Sequence, residues 1–167
     1  MSLREEIENV KREYPEWTNN SRIIGRAGEK YCCKNMKCIA CNSSDWLECI
    51  TNEKSKDQTC LICKKNYQIK CKKITDTFHK KLVDTQNFKT IGAEYATTLR
   101  SIDENIDYIM VLYNNHYEIL EIIHVSCDNI SSDNIIPRKP LSKTAKRAGW
   151  QGCYLQFTNF QSVKTAF

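Results

Sequence analysis

Four cysteines in two pairs are the first residues whose spacing implies chemistry. Cys38-x2-Cys41 is followed, after eighteen intervening residues, by Cys60-x2-Cys63. Two such knuckles each present two thiolates, and four thiolates close a tetrahedron around Zn2+ with no open position. A closed site has no room for a catalytic water, so the zinc it predicts is structural. Directly after the second pair, residues 66–73 alternate as a strand, with Gln68, Lys70 and Lys72 on one face and Tyr67, Ile69 and Cys71 on the other. Metal-assisted phosphodiester hydrolysis needs oxygen ligands for Mg2+ beside the phosphate and a cation near the attacking water. A carboxylate and a lysine two positions apart on a strand meet that need. Here Gln68 occupies the first position, and Asp57 supplies a carboxylate just before the second cysteine pair. The same face also reads as a solvated or phosphate-binding row of lysines, because an acid-x-Lys pattern is short.

A second basic block runs from Arg138 to Trp150 and holds Lys139, Lys143, Lys146 and Arg147 with no acid among them. Residues 142–149 read as a short helix capped by Ser142 and stopped at Gly149, which would place Lys143, Lys146, Arg147 and Trp150 on one face. Such a helix can lie along a nucleic-acid backbone or enter a groove. Trp150 reads either as a core anchor or as a surface for a base.

These residues need a scaffold. The chain has 167 residues, 41% of them hydrophobic, which is enough for one domain with its own core. A formal charge of +5 is modest, but the lysines and arginines gather in two places, which favours a polyanion partner. The first residues contain no secretory h-region, and no apolar run is long enough to span a membrane. Ten cysteines therefore suit a reducing, cytoplasmic setting, where paired cysteines bind metal. Cys49, Cys71, Cys127 and Cys153 are expected to be small buried hydrophobes.

Periodicity predicts helices over 2–14, 21–31 and 90–102, strands over 106–113 and 116–125 joined at Asn114-Asn115, and a strand over 154–158. The class is α/β or α+β around one sheet. His79, His116 and His124 are scattered and read as structural or exposed. Glu94, on the expected 90–102 helix, is a candidate to replace the carboxylate that Gln68 lacks.

Two blocks resemble the DpnI-type restriction endonucleases of the PD-(D/E)XK nuclease superfamily. One comprises Cys38-x2-Cys41, Asp57-Gln-Thr-Cys60-x2-Cys63 and Tyr67–Lys73. The other runs Ile135-Ile136-Pro137-Arg138-Lys139-Pro140-Leu141, then Thr144–Trp150 and Gly152-Cys153. The resemblance implies a PD-(D/E)XK core, a mixed sheet flanked by helices, with a four-cysteine zinc-binding insertion over about 32–66. It also implies a Mg2+- or Mn2+-dependent endonuclease for double-stranded DNA at GATC carrying N6-methyladenine. By position, Asp57 and Lys70 correspond to the catalytic Asp and Lys, and Gln68 falls where the family has Glu. Lys72, Lys73, Arg138, Lys139, Lys143, Lys146, Arg147 and Trp150 become DNA contacts, with Trp150 against the adenine methyl group. The family adds a C-terminal winged helix, so the expectation for 1–167 is a single nuclease domain without it. The alternatives are a catalytically weak methyladenine-sensing module, with Gln68 marking lost cleavage, and a plain zinc ribbon.

Overall fold

The computed structural model describes residues 1–48 and 56–163. In chain order the elements are α1 (Leu3–Glu13), α2 (Asn20–Asn35), β1 (Trp46–Glu48), β2 (Gln58–Cys60), β3 (Asn66–Lys73), α3 (Asp76–Thr85), β4 (Phe88–Glu94), α4 (Tyr95–Ser101), β5 (Ile106–Tyr113), β6 (Ile119–Val125), β7 (Ile135–Pro137), β8 (Gly152–Phe157) and β9 (Gln161–Ser162). They form a mixed six-stranded sheet, β1-β2-β3-β5-β6-β9, and an antiparallel three-stranded sheet, β4-β8-β7. The class is α/β, as the sequence predicts. Among the described residues no helix is long and apolar enough to cross a membrane.

β5 organises the layers. All eight of its residues are buried, as a near-continuous apolar strand covered on both faces must be. It runs parallel to β3 with Gln68 opposite Tyr108 and Lys70 opposite Met110. A parallel pair needs a crossover, and α3, β4 and α4 supply it. On one face Tyr67, Ile69, Ile109 and Val111 meet α1 and α2 through Leu3, Ile7, Val10, Ile23 and Ala27. On the other face Tyr108, Met110 and Leu112 meet Phe88, Cys153, Leu155 and Phe157 of the small sheet. The molecule is therefore three layers with two cores.

α1 forms where predicted, and a capping box between Ser2 and Glu5 starts it. α2 packs closely on β3 at Gly28, where a Cβ would lie 2.1 Å from Cys71 Sγ. The predicted 90–102 helix is half strand. Residues 88–94 pair with β8, and the helix starts only at Tyr95, after a register shift between Ile91 and Glu94. Tyr95 and Leu99 do pack on the second core, but Ile91 stays 52% exposed on the outer sheet face. Glu94 thus sits at the strand–helix junction and accepts a bond from the Thr97 hydroxyl at 3.0 Å.

The predicted 142–149 helix does not form. Leu141 N donates to Trp150 O at 2.9 Å and Gly149 N to Leu141 O at 3.1 Å, so the segment closes into a loop on the β7–β8 hairpin. Gly149 holds φ at +76°, a conformation that ends helical geometry and favours glycine. The β5–β6 link is also longer than Asn114-Asn115. Asn114 Oδ1 accepts from His116 N and Glu118 N, and Tyr117 takes φ of +59°.

Of the other cysteines, Cys153 is buried, Cys71 and Cys127 are half-buried, and Cys49 lies outside the described residues. His124 is buried with Nε2 2.7 Å from Asp107 Oδ2, and His79 lies 3.3 Å from Glu121. His116 is exposed.

Gly28→Ala should destabilise the fold. Overpacking against Cys71 costs about 1–3 kcal/mol, and the better helix propensity of Ala offsets about 1 kcal/mol of it. Adding Cys71→Ala should recover most of the loss in a urea-unfolding double-mutant cycle. Additive single-mutant effects would show that the close approach does not matter.

Candidate active site and metal clip

The two cysteine knuckles have the same backbone geometry. Cys38 O accepts from Asn42 N at 2.7 Å, and Cys38 N donates to Ser43 O at 2.7 Å. Cys60 O accepts from Lys64 N at 3.0 Å, and Cys60 N donates to Lys65 O at 2.9 Å. Asn42 and Lys64 both turn left-handed, with φ of +62° and +64°. Each turn aims its two thiols at the same point, and all four Sγ atoms lie within 4.8 Å of one another. The Cys38–Cys63 and Cys41–Cys60 separations are 3.6 and 3.5 Å. Zinc with Zn–S bonds of about 2.3 Å has S···S edges of about 3.8 Å, so the donor set fits.

The thiols also titrate as a metal site should. Burial pushes the Cys60 thiol up, but the N–H groups of Cys63 and Ile62 outweigh it and bring the group down to about 7. Cys41 accepts a bond from the Ser43 backbone, yet burial and its neighbouring thiols raise it to about 12. Cys63 is raised as well, so Cys41 and Cys63 keep their protons at neutral pH. A dication displaces those protons, because a coordinating thiol is deprotonated outright. The Tyr67 hydroxyl, 3.2 Å from Cys38 Sγ, supplies an outer hydrogen bond.

The clip holds β2, and β2 places Asp57. β2 pairs with β3 at Gln58–Tyr67 and Thr59–Asn66. One residue further back, Asp57 N donates to Tyr67 O at 2.9 Å, and its carboxylate Oδ2 accepts from Ile69 N at 2.6 Å. A side-chain oxygen thus replaces the next rung of the ladder. Burial raises the Asp57 pKa, against the Ile69 N–H and the charges of Lys70 and Arg26, which lower it. Asp57 and Lys70 are therefore within electrostatic reach of each other, with Ile69 N–H as the direct partner of the carboxylate.

Gln68 shares the face of Lys70 and lines a narrow cavity of about 10 Å3 with Ser101, Tyr108 and Cys127. That is room for about one water. Tyr108 is 7% exposed. Burial raises its phenol, the Ser101 hydroxyl lowers it, and the Asp57 carboxylate is close enough to raise it further.

The basic residues divide. Lys72 is partly buried and donates to Ile91 O at 2.7 Å, a bond that ties β3 to β4. Burial, then Lys70, lowers its pKa. Lys73 is exposed at the end of β3. Lys139, Lys143, Lys146 and Arg147 are exposed on the 138–150 loop, and the Arg147 guanidinium lies 4.5 Å from the Trp150 ring centroid. Trp150 is half-buried against Gly152, where a Cβ would come within 2.9 Å of the ring. Arg138, Lys70 and Lys72 all lower the Cys153 thiol, although burial raises it overall. Burial acts first on that thiol, then the Thr98 hydroxyl 3.8 Å away, and only then these three charges. The base of the loop and the lysine face of β3 therefore both lie within electrostatic reach of Cys153.

Several neighbours carry no legible signal in the sequence. Arg26 and Glu29 of α2 form an ion pair at 2.9 Å, and the Arg26 charge reaches Asp57. Their i,i+3 spacing is visible, but its relation to Asp57 arises only from packing. Tyr108 lies inside an apolar run and looks like core. Residues 3–165 of the chain match the family described as DpnI, the Dam-replacing family.

Two outcomes follow from this geometry. The protein should carry about one tightly held Zn2+. Cys60→Ser, or a strong chelator, should remove it and lower Tm by on the order of 10 °C; a metal-free protein with unchanged melting would remove the clip from the account. Asp57→Asn keeps an acceptor for Ile69 N–H. A carboxyl whose folded pKa is raised makes the folded state the better proton binder. Its ionisation therefore costs stability above the unfolded value of 3.8, and the cost vanishes below that pH. In magnesium-free buffer that leaves zinc bound, Asp57→Asn should match or exceed the wild-type Tm at neutral pH and lose any advantage in acid. A lower Tm at neutral pH would contradict the buried-charge assignment.

Proposed function

Because the chain belongs to the DpnI, Dam-replacing family, we propose that it is a divalent-metal-dependent endonuclease cutting double-stranded DNA at GATC that carries N6-methyladenine. The observation that carries this reading is the Asp57 carboxylate on Ile69 N–H, beside Lys70, where the β2–β3 ladder opens. On this reading the 1–167 chain is one nuclease domain with a PD-(D/E)XK core. On the same reading the opening in the ladder beside Asp57 is the metal notch, and the donors assigned to it are oxygens, the carboxylate of Asp57 and the amide oxygen of Gln68. Mg2+ or Mn2+ accepts such a set, because Mg2+ is often held by one or two carboxylates together with substrate phosphate.

When bound, the dication offsets the charge that builds on the phosphate during hydrolysis. The chain's own groups do the rest. Asp57, fixed by Ile69 N–H, orients its free oxygen into the notch. Lys70 donates N–H bonds to the attacking water or to a phosphate oxygen, and its charge opposes the charge of the transition state. Gln68 presents an uncharged oxygen, so metal affinity rests on Asp57 and on the DNA. Lys73, Arg138, Lys139, Lys143, Lys146 and Arg147 bind the backbone. The half-exposed Trp150 edge meets the adenine methyl group. Lys72 acts from beneath, through Ile91.

A second reading, a methyladenine sensor with little cleavage, is favoured by the missing carboxylate at Gln68. Plasmid DNA with and without adenine methylation separates the two, in Mg2+ and then Mn2+. Cutting confined to methylated DNA and lost in Lys70→Ala, by at least about a hundredfold, supports the enzyme. Gln68→Glu should then cut faster or at lower Mg2+. Methyl-dependent binding without cutting identifies the sensor. A folded Trp150→Ala variant that still discriminates methylated DNA removes Trp150 from recognition.

A further inference from the structure

Lys89 and Tyr154, on the outward face of the small sheet, have no role in the chemistry so far described, yet they belong to a face where cations rest on aromatic rings. β8 is its central strand, and Tyr154 sits at the middle, paired with Ile91 on one side and Ile136 on the other. The Lys89 ammonium lies 4.7 Å from the Tyr154 ring centroid, and the Arg138 guanidinium 5.3 Å. At the hairpin loop Arg147 covers Trp150 in the same way, at 4.5 Å. Glu94, at the end of β4, is the one acid on the segments that make this sheet and its loop, where Lys89, Arg138, Lys139, Lys143, Lys146 and Arg147 outnumber it. Ile91, 52% exposed beside the ring, leaves the face open to a partner.

We infer that this face is a docking surface for the sugar–phosphate backbone of duplex DNA, away from the cut site. The inference rests on the endonuclease reading and extends its DNA track. Charge complementarity sets the partner class: a strip on which several cations outnumber one acid suits a polyanion. The rings decide between backbone and bases. Single-strand binding surfaces leave aromatic faces free for bases to stack on. Here the cations already occupy positions over the rings, and what remains available is their N–H groups. A ring that holds a lysine or arginine also reduces the side-chain entropy lost when the cation meets a phosphate.

The strip is continuous with the catalytic strand. Lys89 also lines a groove of about 460 Å3 with Lys72, Lys73, Thr75 and Asn115, at the end of β3 three residues beyond Lys70. Backbone leaving the notch past Lys73 therefore meets Lys89, and through it Tyr154 and Arg138.

Fluorescence anisotropy tests this with an unmethylated duplex of about three helical turns that lacks GATC, in magnesium-free buffer. Lys89→Gln should weaken binding about fivefold to tenfold near 0.1 M salt and lower the salt slope by about one. Tyr154→Leu keeps every charge, so it should weaken binding about threefold with the slope unchanged. Wild-type affinity and slope in both variants would overturn the inference. So would a single strand that binds more tightly than the duplex and loses that preference in Tyr154→Leu. Cleavage of methylated plasmid by the same proteins keeps the two readings apart. A wild type that cuts, with variants that bind normally, ends the strip alone. A wild type that neither binds nor cuts ends both.

Discussion

β2 is three residues long and pairs with β3 at only two positions, so backbone hydrogen bonds alone do not hold its register. Two side-chain ties do. At one end Cys60 belongs to the four-thiol cluster, which joins the end of β2 to the loop after α2. At the other, buried Gln58 donates to Glu29 O at 2.8 Å and to Cys33 Sγ at 2.7 Å, both on α2. Asp57 follows from these ties. A slip of one residue would reverse the faces of β2 and take the carboxylate from Ile69 N–H. Lys65, just past the second knuckle, adds a 2.9 Å ion pair with buried Asp107 of β5. The clip is therefore fastened to the central strand as well as to α2.

The second layer is fixed by close approach. At Gly92 a Cβ would lie 2.7 Å from Cys153 Sγ and 3.1 Å from Leu155, so β4 and β8 meet at a distance only glycine allows. The register shift between Ile91 and Glu94 leaves the Ile91 carbonyl to accept from Lys72. That bond crosses from the small sheet to β3. It uses the lysine nearest Lys70 on the same face, and burial of that ammonium is offset by the carbonyl it meets. The hairpin with the basic loop is thereby held beside β3, although the two are far apart in sequence.

How much of this is legible in the sequence differs from element to element. The knuckles are, because thiolate spacing is dictated by the tetrahedron and leaves little freedom. β3 is, because Tyr67 and Ile69 alternate with Gln68 and Lys70. The 90–102 segment misleads for a physical reason. Ile91, Tyr95 and Leu99 recur at helical spacing, but Ile91 belongs to a strand and faces solvent, so the periodicity joins residues from two elements. The Lys143, Lys146 and Arg147 spacing misleads in the same way, since Pro140 and Gly149 bracket a loop closed between Leu141 and Trp150. The partners of Asp57 are not legible at all. Arg26, Tyr108 and Ile69 N–H reach it through tertiary contacts that no local pattern encodes.

The neutral amide at Gln68 makes sense in the electrostatics of this notch. Asp57 is already pushed up by burial, which means the site tolerates even one carboxylate at a cost. A second carboxylate on the adjacent position would raise both, unless a cation neutralised the pair. With Gln68 in place, no second carboxylate from β3 adds to the buried charge of Asp57, while Arg26 is shared with Glu29. On the endonuclease reading, phosphate oxygens would complete the donor set that one carboxylate and one amide leave short of charge. On that reading, metal demand and DNA affinity are linked through position 68, because a neutral amide there leaves the metal to depend on Asp57 and on the phosphate.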